Sequence, residues 1–116
     1  MAFLFNRSQN NANFTNLSVA DYHTRFHDGE DHILVDVRTP GEFAEGHLPG
    51  AINIELSRLP GRLGELGPKK PVVVVCATGN RSRTGAQLIA RGGYDEVYNL
   101  QGGTMKWQMN RLPLEN

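Results

Sequence analysis

The sequence predicts an α/β fold in which a central, mainly parallel sheet of about five strands carries helices on both faces. Two observations lead to this prediction. Short apolar runs rich in β-branched residues, of which Val72–Val75 is the clearest, alternate along the chain with stretches of helical pattern. The 116 residues, 39% of them hydrophobic and 21% charged, have the size and composition of one globular domain.

The first third of the chain predicts a leader, a strand, a helix and a second strand. Residues 1–13 are rich in Asn, Ser and Gln and predict a flexible leader. Phe14–Leu17 follows as a short edge strand. Ser18, with Asp21 three residues later, predicts the N-cap and first turn of a helix. His32–Val37 then predicts a buried strand.

The middle of the chain predicts short elements joined by turns. Pro40 suits the first position of a short helix, and Ala51–Ile54 predicts a short strand. Four leucines recur at helical spacing between residues 56 and 66, which indicates a helix with one apolar face. A proline and two glycines in the same stretch predict that this helix is broken or irregular.

Two more pairs of strand and helix complete the predicted fold. The strand that ends at Val75 is followed by a helix from about Ser82 to Arg91, and Glu96–Asn99 predicts the last strand. Gly102-Gly103 opens a final helix. Three large side chains of this helix are available for packing: Met105, Trp107 and Met109.

The composition excludes several classes of function. The formal net charge is zero, which gives no overall case for binding nucleic acid. A single cysteine excludes an intramolecular disulfide, a CxxC redox pair and a metal site with several thiolate ligands. No stretch has the length of a membrane span or the pattern of a signal peptide, so we expect a cytoplasmic protein. One domain is expected over residues 14–112, with residues 113–116 as a tail.

The only cysteine, Cys76, lies where a predicted strand ends and a glycine-containing loop begins. A strand followed by such a loop and a helix N-terminus presents backbone N–H groups that bind an anion. A thiol in this place is shifted towards the thiolate. A buried structural thiol is the alternative interpretation of a lone cysteine.

The residues after Cys76 fit an anion site. Gly79 lets the loop turn tightly, because a positive φ costs glycine little. Ser82 is placed to cap the following helix and to donate its hydroxyl to the sulfur. Arg81 either binds the oxyanion part of a substrate or braces the loop through hydrogen bonds to carbonyls. Five basic residues and no acidic one lie from Lys69 to Arg91, which favours a small anion here unless they form a solvated face.

Four segments of the chain, in matching order and spacing, resemble the rhodanese family of single-domain sulfurtransferases. Residues 35–43 resemble its DVR-x-x-x-E-[FY] segment, and residues 46–54 resemble its GHIPGAINI segment. Residues 76–82 are similar to its C-x-x-G-x-R-S loop, and residues 97–107 to its V-x-x-L-x-GG-x-x-x-W ending. The agreement extends along most of residues 14–110, and four motifs in register are a specific signal.

The resemblance implies a rhodanese-like α/β sandwich and a covalent mechanism. Cys76 would be the nucleophile that takes a sulfane sulfur from a donor and holds it as a persulfide, with no other cofactor. The donor would be a small anion such as thiosulfate, a persulfide or a polysulfide, and the acceptor a thiophilic molecule or protein. No nucleic-acid or membrane partner is implied, and the sequence leaves the oligomeric state open. The loop that would bind the transferred sulfur consists of Ala77, Thr78, Gly79, Asn80, Arg81 and Ser82.

One position departs from the family pattern. Many members that use thiosulfate carry a basic residue directly after the cysteine, where this chain has Ala77 followed by Thr78. The departure weakens the case for thiosulfate, and it leaves persulfide, polysulfide and protein donors open.

Asp36 and Arg38 are expected to support the site from the second strand. Asp36 ends an apolar strand, and we expect it to order nearby loops by hydrogen bonds, because thiolate chemistry at a helix end needs no catalytic base. Arg38 is expected to form a bracing ion pair with Glu42 or Glu45.

Two other functions are compatible with a cysteine and an arginine on a strand, loop and helix. Cysteine phosphatases and arsenate reductases leave a longer gap between the two residues than the four residues between Cys76 and Arg81, and Val75 stands where such phosphatases often carry histidine. A non-catalytic binding module on the same fold is the second alternative. Such modules usually lack the cysteine or the loop, and this chain has both.

Overall fold

A computed structural model describes residues 13–116 and contains a parallel sheet in this part of the chain. The strand order is β1-β5-β4-β2-β3, and every neighbouring pair is parallel. The strands are β1 Thr15–Leu17, β2 Ile33–Asp36, β3 Ile52–Asn53, β4 Val72–Val75 and β5 Val97–Leu100. The predicted sheet of about five mainly parallel strands is confirmed, with the first strand at one edge.

In the described residues, four helices connect these strands and a fifth follows the last strand. They are α1 Val19–Arg25, α2 Pro40–Glu45, the 3₁₀ helix Leu56–Leu66, α3 Asn80–Arg91 and α4 Gly103–Met109. The hydroxyl oxygen of Ser18 accepts the Asp21 N–H at 3.0 Å, so the predicted cap of α1 is confirmed. The irregular helix predicted between residues 56 and 66 is also confirmed, with Pro60 inside it.

The central strands β2 and β4 are buried along their whole length, because helices cover both faces of the sheet. Alternate residues point to opposite faces, so Val74 packs with α3 and the 3₁₀ helix while Val73 packs with α1 and α4. A Cβ on Gly85 of α3 would lie 3.2 Å from the Cγ1 atoms of Val37 and Val74. Glycine at this position therefore allows α3 to approach the sheet closely.

Two expectations about helices are wrong. The helix α3 begins at Asn80 rather than at Ser82, because Gly79 in the left-handed conformation turns the chain into the helix without a side-chain cap. In α4, Trp107 is fully buried, whereas Met105 and Met109 are 55% and 69% exposed. They lie four residues apart on the face of this short helix that points away from the sheet.

The structure describes almost nothing of the predicted leader, whereas it describes the C-terminal residues and their hydrogen bonds. The leader predicted over residues 1–13 falls outside the described residues except for Asn13. At the other end, His47 and Glu115 exchange two backbone hydrogen bonds of 2.8 Å, and the Trp107 indole N–H donates to the Pro113 carbonyl. Within residues 13–116, no helix is both long enough and apolar enough to cross a membrane.

Candidate active site

The site lies at the carboxyl edge of the sheet, where β2, β4 and β5 end side by side. Asp36 is in register with Val75, so the end of β2 lies beside the residue that precedes Cys76. Val74 is in register with Asn99 on the other side. The parallel sheet therefore brings residues from three distant parts of the sequence to one edge.

The loop after β4 wraps around the Cys76 sulfur. The backbone N–H of Gly79 donates to Sγ at 3.1 Å, and the N–H of Ser82 donates to it at 3.3 Å. Gly79 has φ +107°, a conformation that L side chains rarely adopt. The loop brings the first turn of α3 onto the sulfur, so a partial positive charge faces it.

Hydrogen bonds also lower the pKa of the Cys76 thiol. Burial raises the pKa of this thiol, but hydrogen bonding to the Ser82 side chain and to the N–H groups of Ser82, Gly79 and Thr78 outweighs burial. The pKa therefore lies below its ordinary value. Cys76 is only 1% exposed, so the sulfur is recessed beneath the loop.

The N-terminus of α4 fixes the loop from the other side. The Cys76 carbonyl accepts the Thr104 N–H at 2.9 Å and the Thr104 hydroxyl at 3.2 Å, and the Ala77 carbonyl accepts the Met105 N–H at 3.0 Å. A Cβ on Gly103 would lie 2.3 Å from the Cys76 carbonyl oxygen and 2.6 Å from that of Ala77. Glycine at this position is what allows α4 to approach the loop closely.

Arg81 is held by a carboxylate on α2. Its Nη1 and Nη2 donate to Oε1 and Oε2 of Glu42 at 2.8 and 3.0 Å. The hydrogen bond from Arg81 lowers the pKa of Glu42 to about 2 despite partial burial, and Thr39, whose N–H and hydroxyl also donate to the carboxylate, adds to the effect. The sequence left open whether Arg81 binds substrate or loop carbonyls, and in this structure the guanidinium is paired with Glu42.

Arg38 forms its ion pair with Asp36, so the expected partner Glu42 or Glu45 is wrong. Asp36 is fully buried and Arg38 is 6% exposed, and Nη2 of Arg38 lies 2.8 Å from Oδ2 of Asp36. Arg38 also donates to the Gly46 carbonyl at 2.7 Å. The arginine lies inside because its closest carboxylate is two residues back on the strand, whereas Glu42 is engaged by Arg81. The Asp36 carboxylate also accepts the backbone N–H of Arg38 at 3.0 Å, and its role in ordering nearby loops stays a prediction.

The other predicted residues of the loop lie at different depths. Ala77 is half-buried, Thr78 and Asn80 are exposed at the rim, and Ser82 is fully buried. Ser82 lies in the first turn of α3 and does not cap it. Its hydroxyl donates to Oδ1 of Asn99 at 2.5 Å, while the Cys76 thiol lies 3.3 Å from Ser82 Oγ.

Asn99 was not anticipated from the sequence. It is 2% exposed on β5, and its Nδ2 donates to Oδ1 of Asn16 on β1 at 3.0 Å. A polar residue within the apolar strand Val97–Leu100 is the signal that identifies it, because a buried amide needs hydrogen-bond partners.

Fold and site together define an α/β protein that holds a cysteine thiol of lowered pKa at a helix N-terminus. A family model for the rhodanese-like domain matches residues 18–110, and the chain belongs to this family. A sulfurtransferase from Allochromatium vinosum is 38% identical over 90 residues, which are 78% of this chain and 84% of that protein. The family and this relative support sulfurtransferase activity at the level of the family.

Solved structures agree with the family assignment. The crystal structure of a rhodanese-related protein from Thermoplasma volcanium superimposes with a TM-score of 0.78 and 27% identity, over 88% of this chain and 98% of that one. A Rhodopseudomonas palustris protein of unknown function, described as a possible tyrosine phosphatase, has a TM-score of 0.81 and 25% identity over 99% of both chains.

Proposed function

We propose that this chain is a sulfurtransferase that carries a sulfane sulfur on Cys76 as a persulfide. The observation that carries the proposal is the position of the Cys76 sulfur. It accepts hydrogen bonds from the backbone N–H groups of Gly79 and Ser82 at the start of α3. These donors stabilise a negative charge on sulfur without moving, which is the requirement for both a thiolate nucleophile and an anionic persulfide.

The reaction has two half-reactions. The Cys76 thiolate attacks the outer sulfur of the donor, an S–S bond forms to Cys76, and the donor's own bond to that sulfur breaks. The electron pair leaves with the remainder of the donor, as sulfite from thiosulfate or as a thiolate from an organic persulfide. A thiophilic acceptor then takes the outer sulfur, and the electron pair returns to Cys76 as thiolate.

The first-turn amides of α3 are the groups available to the second sulfur. Asn80 and Arg81 begin this helix, and their N–H groups have no carbonyl partner within it. Because Cys76 is 1% exposed, the outer sulfur is the part of a persulfide that an acceptor reaches. An acceptor therefore needs to be narrow or to present an extended nucleophile at the loop.

The charges at the loop favour a persulfide or polysulfide donor over thiosulfate. Arg81 is neutralised by a bidentate pair with Glu42, and Ala77 stands where thiosulfate-using relatives carry a cation. The sulfonate part of thiosulfate would then have no unpaired cation at these two positions. The persulfide group of an organic donor carries one negative charge where thiosulfate carries two, so it needs less positive charge at the loop.

The same pairing argues against the phosphatase alternative. A phosphatase needs its arginine to clamp the oxygens of a tetrahedral phosphate above the cysteine, and Arg81 is bound to Glu42 in this structure. The relative described as a possible tyrosine phosphatase has the same fold and adds no observation on activity. A non-catalytic module would not need the hydrogen bonds that hold Cys76 below its ordinary pKa.

Steady-state sulfur transfer to cyanide tests the proposal. We expect thiocyanate to form with ping-pong kinetics from glutathione persulfide, with a higher kcat/KM than from thiosulfate, and no transfer by Cys76→Ser.

Glu42→Gln should raise kcat/KM for thiosulfate severalfold, because it releases Arg81. Glu45→Gln is the matched control, since Glu45 lies on the same helix whereas the Arg81 guanidinium is paired with Glu42. Turnover of an aryl phosphate that depends on Cys76 would overturn the assignment.

A further inference from the structure

A line of hydrogen bonds runs from the buried Cys76 sulfur to the edge of the sheet. The Cys76 thiol donates to Ser82 Oγ at 3.3 Å, the Ser82 hydroxyl donates to Asn99 Oδ1, and Asn99 Nδ2 donates to Asn16 Oδ1 at 3.0 Å. Ser82 and Asn99 are 0% and 2% exposed, whereas Asn16 is exposed on the edge strand β1. The register of β1 with β5 pairs Asn16 with Asn99 and fixes this geometry.

We propose that Asn99 is a positioning residue whose amide turns over to direct the Ser82 hydroxyl either away from the Cys76 sulfur or towards it. The hydroxyl has one hydrogen, and in this structure it points to Asn99. That arrangement suits a thiol, which itself donates to Ser82 Oγ. It does not suit a thiolate or a persulfide anion, which has no hydrogen to donate and needs one from Ser82.

If every hydrogen bond of the line reverses its direction, the anionic sulfur receives a hydrogen bond from Ser82 and no hydrogen bond is lost. When the thiol proton leaves to solvent, the Ser82 hydroxyl turns to donate to the sulfur. The Asn99 amide then turns so that Nδ2 donates to Ser82 Oγ, and Asn16 turns so that its Nδ2 donates to Asn99 Oδ1. Each of the three contacts is kept with its direction reversed, so no buried group becomes unsatisfied.

An amide is suited to this role because one end donates and the other accepts. A carboxylate at the same place can only accept, and an apolar side chain can do neither. Asn16 turns at low cost because it is exposed and water can bind either end of its amide. The line therefore ends at the one member that can exchange partners with solvent.

The charged groups around the sulfur are not members of this line of hydrogen bonds. Arg81 on α3 interacts electrostatically with Cys76 and is bound to Glu42 on α2, and the end of β2 contributes the pair of Asp36 and Arg38. Both ion pairs lie outside the line of hydrogen bonds. Substitutions of Asn99 therefore leave them in place.

The inference deepens the proposed function, and its consequence for sulfur transfer rests on that function, but its test needs only ionisation of the thiol. Cys76 is the only cysteine, so thiolate ultraviolet absorbance measured against Cys76→Ser reports this group alone. We expect Asn99→Asp to move the titration midpoint to higher pH and to lower the thiolate fraction below that midpoint by roughly tenfold. The carboxylate holds the Ser82 hydroxyl and cannot turn over to release it.

Two comparisons separate this role from a structural one. Asn99→Leu removes the competing acceptor, so its midpoint should not exceed that of the wild type, whereas a loosened loop would raise it. In a Ser82→Ala background, Asn99→Asp should shift the Cys76 titration midpoint by a smaller amount. The remaining shift is the part caused by the negative charge of the new carboxylate. An equal shift with and without the hydroxyl, or a rise in Asn99→Leu as large as in Asn99→Asp, would overturn the proposal. If Asn99→Leu does not fold, the titrations of Asn99→Asp with and without the Ser82 hydroxyl are sufficient to decide.

Discussion

Substitution of Gly79 by alanine tests whether the loop geometry serves the sulfur rather than the fold. Gly79 has φ +107°, and a Cβ on it would lie 3.3 Å from the Gly102 nitrogen and 3.6 Å from the Leu100 carbonyl oxygen. These neighbours are backbone atoms, which move less readily than side chains. The loop at residue 79 must therefore shift, and with it the N–H that donates to Cys76 Sγ at 3.1 Å.

The two consequences of Gly79→Ala have different sizes. A positive φ costs alanine about 1–2 kcal/mol, which a domain with about 5–15 kcal/mol of stability tolerates. A hydrogen bond to an ionised group is worth about 1.5–3 kcal/mol, so its loss lowers the thiolate fraction at fixed pH by about tenfold to a hundredfold. We therefore expect a folded protein whose thiol ionises at clearly higher pH and whose sulfur transfer falls in proportion at neutral pH.

Thiol titration and urea unfolding measure these two effects on the same samples. Gly50→Ala is the matched control, because Gly50 has φ +83° and nothing within 4 Å of a Cβ. Gly50 lies in the loop before β3, at the amino ends of the parallel strands, whereas Cys76 lies at their carboxyl ends. The control should lose comparable stability and keep the wild-type thiol midpoint. A wild-type midpoint in Gly79→Ala, or equal shifts in both variants, would show that the geometry at Gly79 does not control ionisation of the Cys76 thiol.

Two ion pairs give further predictions. The Glu42 carboxyl has its pKa lowered from 4.5 to about 2 by Arg81, so the pair stabilises the fold above pH 4.5 and its contribution is lost as pH falls towards 2. Glu42→Gln should remove this part of the acid dependence of urea midpoints, and an unchanged pH dependence would contradict it. Arg38→Met leaves the buried Asp36 carboxylate unpaired and should cost about 3–5 kcal/mol of unfolding free energy. Arg62→Met breaks an exposed pair and should cost far less; equal losses in urea unfolding would show that burial is irrelevant.

The features that could be predicted from the sequence depend on local interactions. A run of four valines forms a buried strand, and Ser18 caps the helix that contains Asp21, because each signal lies within a few residues of its effect. Gly79 was identified for the same reason, since the loop and the helix it joins are contiguous. These signals suffice to place Cys76 at a strand end, where the fold puts it.

The contacts between distant residues could not be predicted. Glu42 and Arg81 are 39 residues apart in the sequence. Arg38 is much closer to Glu42 in the sequence, which made it the more obvious partner. The role of Ser82 depends on Asn99, which carries no motif and meets it only because β5 lies next to β4. Met105 was expected to pack, but a short helix buries one face only, and Trp107 fills that face.

The mass of the intact protein after exposure to a sulfur donor shows whether Cys76 carries the transferred sulfur. Incubation with a persulfide or polysulfide, followed by removal of the donor, should add one sulfur atom to the wild-type chain. Cyanide or a reductant should remove that atom, and Cys76→Ser should never acquire it. If no donor adds sulfur to the folded wild-type protein, or if Cys76→Ser acquires the same atom, Cys76 is not the carrier of the transferred sulfur.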